Sequence, residues 1–177
     1  MEEISISQFD DVYRLVEQSV VLEELRPYEQ MKKWFQQNLF SIYAKYDHNE
    51  LQGAMIVWEL ENCVYLENFA IETKMRGQGL GTYFLQQFCY LYKDKFLFLE
   101  VEVPHDEISR KRIQFYERMG FVLNPYQYIQ PTFRENDHSV QLTSMTYPKV
   151  MDDQQYQMIK KEIFKVVYQQ KGELWKR

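Results

Sequence analysis

Tyr65–Thr82, YLENFAIETKMRGQGLGT, decides how the rest of this chain is read. A short apolar run ends at Ile71. Arg76 follows, then glycines at 77, 79 and 81, and from Leu80 onward Phe84, Leu85, Phe88 and Leu91 recur at helical spacing. Alternating glycines let a backbone turn tightly and approach a ligand closely. A helix that starts there leaves its first amide N–H groups without internal acceptors, and its dipole adds a modest attraction for an anion. The order of strand, basic residue, glycines and helix therefore suits a bound phosphate, with Arg76 pinning the turn or contacting the anion. A glycine turn serving only the fold would have the same local pattern. Two other phosphate motifs fit less well. No Lys-Ser or Lys-Thr pair follows the glycines, as a P-loop requires, and Thr82 stands where a dinucleotide fingerprint has its last glycine.

Outward from this segment, the chain reads as alternating strands and helices. Ile4–Ile6 is expected to be a short strand, followed by a helix from Asp10 or Asp11 to Val21 and another opened by Pro27, with Met31, Trp34 and Phe35 on one side. Leu39–Tyr46, Leu51–Leu60 and Cys63–Ile71 read as an antiparallel meander, with Asp47, His48 and Asn49 in the first turn and Glu61 and Asn62 in the second. Beyond the glycine segment, Phe96–Val103 is a strand ended by Pro104, and Ser109–Met119 is a helix stopped by Gly120. Phe121 begins a short strand, Asn124–Asp137 is a loop or strand fragment, and Ser139–Tyr147 is a strand. The tail, 152–170, is a helix whose stripe of Tyr156, Ile159, Ile163, Val166 and Val167 must be buried on the domain or at a homodimer contact.

The 177 residues suffice for one domain with a real core, and no linker, repeat or low-complexity segment divides them, so 1–177 is expected to be a single domain. An apolar share of 45% and an aromatic share of 16% exclude a disordered chain. A net charge of −5 is the wrong balance for a nucleic-acid binder. The acidic start, MEEISISQFDD, lacks the apolar core of a signal peptide, and no run approaches a bilayer span, so no membrane partner and a cytoplasmic location are expected. Cys63 and Cys89 lie in apolar segments, which suits two buried free thiols.

At this point the chain resembles the GNAT acetyltransferase superfamily. That family's pattern is an apolar strand and then Arg/Gln-x-x-Gly-x-Gly/Ala at the head of a helix, which here is Arg76, Gly77, Gln78, Gly79, Leu80, Gly81, with Ile71 at the usual aliphatic position. The later run QFYERMGF, Gln114–Phe121, strengthens the match, which covers about residues 40–147. The resemblance implies an α+β fold: a three-layer α/β/α arrangement around a mixed, mainly antiparallel sheet with one splayed parallel strand pair. It implies acetyl-CoA as cosubstrate, with backbone groups of Phe69, Ala70 and Ile71 pairing with the pantetheine arm as an added strand would. The amides from Arg76 through Thr82 would hold the pyrophosphate, and a main-chain N–H near Ala70 or Ile71 would polarise the thioester carbonyl.

The same resemblance makes Tyr116 the general-acid candidate. A phenol, with an ordinary pKa near 10, is protonated at neutral pH and can protonate a leaving thiolate. Ser109 and Arg112 replace the Asn and Ala that the family commonly has on this helix. Ser109 is expected to cap it and touch the cofactor, while Arg112 faces solvent or a phosphate. Glu67, on the strand leading into the cofactor segment, is the candidate base, acting directly or through water, with a plain salt-bridged glutamate as the alternative. Glu23, Glu24 and Glu102 are weaker carboxylate candidates, and His105 is the most interesting of three scattered histidines. No spacing suggests a metal site. The expected function is transfer of an acetyl group to a primary amine on a small molecule or peptide, with a catalytically silent acyl-CoA-binding or regulatory module as the alternative. Polyamines, amino acids, antibiotics and protein amines all remain candidate acceptors.

Overall fold

Residues 1–134 and 140–169 are described by a computed structural model. They pack as two compact units, one formed by Met1–Glu59 with Tyr65–Lys93, the other by Leu60–Val64 with the chain from Asp94 onward.

In the first unit, β1 is only Glu2–Glu3, paired antiparallel with β2. The strand expected at Ile4–Ile6 is displaced because Ser5 opens a 3-10 turn at Ile6–Gln8, with a capping box closed by Gln8. α1 (Phe9–Glu17) stops well short of Val21, and a second 3-10 turn at Leu22–Glu24 leads to α2 (Tyr28–Gln36), with Pro27 as its N-cap. The expected stripe of Met31, Trp34 and Phe35 is buried. β2 (Ser41–Asp47) and β3 (Glu50–Glu59) form an antiparallel hairpin. Its turn places His48 at φ 47° and Asn49 at φ 65°, the left-handed pair that matches the twist of the flanking strands. β4 (Val64–Ile71) follows, giving the order β1-β2-β3-β4. α3 (Leu80–Leu91) buries Leu80, Phe84, Leu85 and Phe88, but Leu91 is exposed and the neighbouring Tyr92 is buried in its place.

Aromatic rings tie α1 and α2 to this sheet. Phe9 stacks on Phe35 at 5.6 Å, Phe35 on Phe40 at 5.8 Å, and Phe40 lies 5.1 Å from Trp58. Trp34 meets Trp58 edge-on at 6.0 Å. Trp58 is 1% exposed, so this strand carries a large apolar load at a position where a single polar atom, its indole N–H, needs a partner.

The second unit starts with β5 (Leu97–Glu102), after which α4 (Glu107–Arg118) carries Tyr116. Gly120, at φ 88°, ends α4 in the left-handed conformation expected of a helix stop. β6 (Val122–Ile129) runs into the stretch from Asn124 that is expected to be a loop or strand fragment. Pro125 is tolerated because a bulge interrupts pairing between Leu123 and Gln127. β7 (Gln141–Tyr147) pairs antiparallel with both β5 and β6, in the order β5-β7-β6. Ser139, expected to begin this strand, lies outside the described residues, as does His138.

α5 (Asp153–Val166) is capped by Asp152, and its stripe turns inward within the second unit. Ile159 and Ile163 are 2% and 1% exposed, while Val166 faces outward at 40%. Tyr156 stacks on Tyr126 of β6 at 4.1 Å. The Glu162 carboxylate accepts from the backbone N–H groups of Glu61 and Asn62 at 2.6 and 3.1 Å. Among the described residues, no helix is long and apolar enough to cross a membrane.

Candidate active site

The glycine turn belongs entirely to the first unit. A 3-10 turn at Thr73–Met75 leads from β4 to Arg76, whose Nε donates to the Ile71 carbonyl at 3.0 Å and folds the turn back on the strand end. Gln78 Nε2 donates to the Lys74 carbonyl at 2.9 Å. Gly77 and Gly79 sit at φ 74° and φ 82°, in the left-handed region that only glycine enters freely. A Cβ at either position would meet nothing within 4 Å, so backbone conformation, not crowding, demands glycine there.

Gly79 is the N-cap of α3, and Tyr83 N–H donates to its carbonyl at 3.0 Å. The amides of Leu80, Gly81 and Thr82 precede that bond and have no backbone acceptor among the described residues. Both Arg76 and the turn are exposed. The turn therefore presents successive N–H donors at a helix start, an arrangement that suits a phosphate group. Phe69 and Ile71 are half-buried on β4, with Ala70 buried between them, and the Phe69 ring lies 5.7 Å from Phe84 of α3.

Glu67, two residues before Phe69, is neither solvated nor alone. Its side chain is 7% exposed and that of Arg26 is 2% exposed, and Arg26 Nη2 reaches Glu67 Oε1 at 2.7 Å. The other oxygen, Oε2, accepts from the Trp58 indole at 2.7 Å. The guanidinium lies over the Trp34 ring at 4.3 Å and 5.7 Å from the Trp58 ring. Each carboxylate oxygen has two lone pairs and spends one on these donors, so an acceptor position remains on each. Sequence reading brought out Glu67 and placed Trp34 on the apolar side of its helix, but missed Arg26 and Trp58. Arg26 and Glu67 are 41 positions apart, beyond any local pattern, and the one available hint was an arginine next to the Pro27 that opens a helix.

In the second unit, Tyr116 is 8% exposed. Its ring packs 5.4 Å from Phe115 and 5.9 Å from Phe121. Burial pushes its phenol up to about 12, and the positive charge of Arg112 pulls weakly the other way. The hydroxyl is therefore protonated at neutral pH, and no hydrogen-bond partner meets it among the described residues. Ser109 is not the cap of α4. Asp106 is, and the two close a capping box in which Asp106 Oδ1 accepts from Ser109 N at 2.7 Å. The Ser109 hydroxyl donates to Asp106 Oδ1 at 2.7 Å and accepts from the amides of His105 and Asp106 at 3.1 Å each, so its hydrogen bonds are local. Arg112 is exposed.

The remaining candidates lie elsewhere. His105 and His48 have side chains 67% and 94% exposed. Glu23 and Glu24 are half-buried in the 3-10 turn before Arg26. Burial holds the Cys63 thiol well above its ordinary value and that of Cys89 at about 11, so both are unreactive as nucleophiles at neutral pH. An open cavity of about 520 Å³ in the first unit is lined by residues including Met1, Glu3, Asp11, Tyr46 and Tyr83, and by none of the candidate site residues.

Residues 9–121 match the family model described as Acetyltransferase (GNAT) family. A solved GNAT-family protein from Bacteroides thetaiotaomicron is 26% identical and superposes with a TM-score of 0.87 over 96% of this chain and 98% of its own. The ribosomal-protein-S18-alanine N-acetyltransferase from Escherichia coli is 20% identical, with a TM-score of 0.64 over 85% of this chain and 94% of its own. A mutant spermidine N-acetyltransferase from Vibrio cholerae is 14% identical, with a TM-score of 0.62 over 82% of this chain and 92% of its own. None of the curated proteins matches this sequence. The α+β fold is thus shared with solved acetyltransferases along nearly the whole chain.

Proposed function

We propose that this chain, which belongs to the GNAT acetyltransferase family, moves an acetyl group from acetyl-CoA to a primary amine of a small molecule or peptide by direct attack. The family makes it an N-acetyltransferase, and the donor, the acceptor and the residue roles are what we add. The observation that carries the reading is the glycine turn: two left-handed glycines with open space around them, directly before a helix whose leading amides lack backbone acceptors.

The residues divide the work as follows. Amides from Gly77 through Thr82 hold the pyrophosphate of the cosubstrate, and Arg76 and Gln78 keep the turn in that shape. Backbone groups of Phe69, Ala70 and Ile71 receive the pantetheine arm, and an N–H there stabilises charge developing on the thioester oxygen. As the amine's C–N bond forms and the C–S bond breaks, Tyr116 gives its proton to the departing sulfur. Its raised pKa keeps that proton in place at working pH. Glu67 takes the proton that the amine must shed, directly or through one water, on a lone pair left open by Arg26 and Trp58. Ser109 contributes by closing the cap that starts the Tyr116 helix. The two free cysteines suit a reducing cytoplasm.

The test is CoA release, followed by thiol detection, from acetyl-CoA and a panel of amines offered partly as free base, alongside calorimetry with acetyl-CoA alone. Amine-dependent thiol release supports acetyl transfer. Saturable binding without release would identify a silent acyl-CoA-binding module, and no binding at all would remove the cofactor assignment.

A further inference from the structure

The Arg26–Glu67 pair is more deeply buried than a surface ion pair and more elaborate than a fold pin needs to be. Both side chains are withdrawn from water, at 2% and 7% exposure. Burying two charges costs desolvation that their attraction offsets only with good geometry, and apolar replacements of similar volume often leave a protein equally or more stable. Stability alone is therefore a weak reason for this arrangement. Its parts also come together around one ion pair from three separate elements. Arg26 comes from the connection between α1 and α2, Trp58 from β3, and Trp34 from α2. Tyr13 of α1 adds a fourth tie, its hydroxyl donating to the Arg26 carbonyl at 3.2 Å. The carboxylate so held sits two residues before Phe69 on the strand that leads into the glycine turn.

We infer that Arg26 is a positioning residue for the transfer reaction, acting with the Trp58 indole to fix the rotamer of Glu67 so that its remaining lone pairs face one direction. This rests on the acetyl-transfer reading and deepens it. The guanidinium occupies one lone pair of Oε1 and the indole one lone pair of Oε2. What is left on the carboxylate is oriented by default, without the rotamer search that a solvated glutamate must make. Arg suits the place better than Lys, because a planar cation can stack on Trp34 while still donating in the plane. The charge balance also matters. The Arg26 guanidinium balances the Glu67 carboxylate, which would otherwise be a lone buried charge.

The test uses two variants of the full chain. The double variant Arg26→Met/Glu67→Leu removes both charges at once and leaves no orphan. Trp58→Phe deletes one hydrogen-bond donor and keeps the aromatic packing. A catalytic Glu67 predicts that the double variant unfolds cooperatively and binds acetyl-CoA within about twofold of the unmodified protein, while kcat falls about 100-fold, and a positioning role adds a loss in a variant that keeps Glu67. For Trp58→Phe, kcat falls about fivefold, the loss of one charge-assisted hydrogen bond, with the acetyl-CoA KM unchanged. A merely structural pair predicts instead a double variant with full kcat. That result overturns the inference, and so does an unchanged kcat in Trp58→Phe, which decides the matter if the double variant does not fold. Absence of any amine-dependent turnover in the unmodified protein would remove the underlying reaction and this inference with it, an outcome distinct from full activity in the variants.

Discussion

Replacing Gly79 gives the sharpest test of the phosphate cradle, because the structure separates two effects that usually travel together. A Cβ at Gly79 would touch nothing within 4 Å, so no clash contributes to the cost in the free protein. What remains is φ 82°, a backbone state that costs a non-glycine residue about 1–3 kcal/mol and asparagine less. The penalty should therefore rise from Asn to Ala to Val at this position. If the turn keeps its shape, that cost appears as lost stability; if it relaxes to a negative φ, the amides of Leu80, Gly81 and Thr82 no longer converge and the cost appears in binding. An intermediate loss of about 1.4 kcal/mol corresponds to tenfold weaker acetyl-CoA binding. Calorimetry with acetyl-CoA and a thermal melt of each variant together account for both routes. Gly53→Ala is the control: its Cβ would lie 2.6 Å from Ile71 Cδ1 and 3.1 Å from the Ala70 carbonyl, so it should lower the melting temperature by overpacking. A Gly79→Val protein with wild-type affinity and wild-type melting temperature would refute the reasoning, because neither route would then have registered the forbidden backbone.

The other expectations concern the second unit. Tyr116→Phe should lower kcat about 100-fold while leaving the acetyl-CoA dissociation constant within about twofold; equal turnover would remove the acid role. Because the Tyr116 pKa is raised to about 12, the rate of the unmodified protein should show no alkaline decline from that phenol below about pH 11, measured as kcat against pH. The sign for stability follows from the same shift. A phenol at its ordinary value of about 10 in the unfolded chain and about 12 when folded supplies stability below pH 10 that is lost between pH 10 and 12, so Tyr116→Phe should flatten the alkaline fall in denaturation midpoint. Asp106→Ala should lower the thermal midpoint through loss of the α4 cap, read by a thermal melt.

Much of the fold was legible because it rests on short-range rules. The helical spacing after Leu80, the turn residues around His48 and the stop at Gly120 each state a local preference that the structure keeps. The failures have local causes as well. Leu91 continued the apolar period yet points outward, because Tyr92 fills the buried position beyond it. The stretch from Asn124 read equally as loop or strand fragment, and β6 runs through Pro125 by bulging away from β7 at that point. Ser109 looked like a helix cap, and Asp106, three residues earlier, took that position with Ser109 as its partner.

What the sequence determined by itself is whatever adjacent residues can dictate: the glycine turn before α3, the tyrosine before Gly120, and the family to which both belong. Those features need only a few consecutive backbone angles, and neighbours in the chain set such angles. The surroundings of Glu67 were decided only in three dimensions. Its two donors come from positions 41 residues and 9 residues away, and its burial depends on rings from α2 and β3 closing over an arginine. A charge can be held out of water only by partners brought to it by folding, so its neighbourhood has no signature in the stretch of chain that contains it.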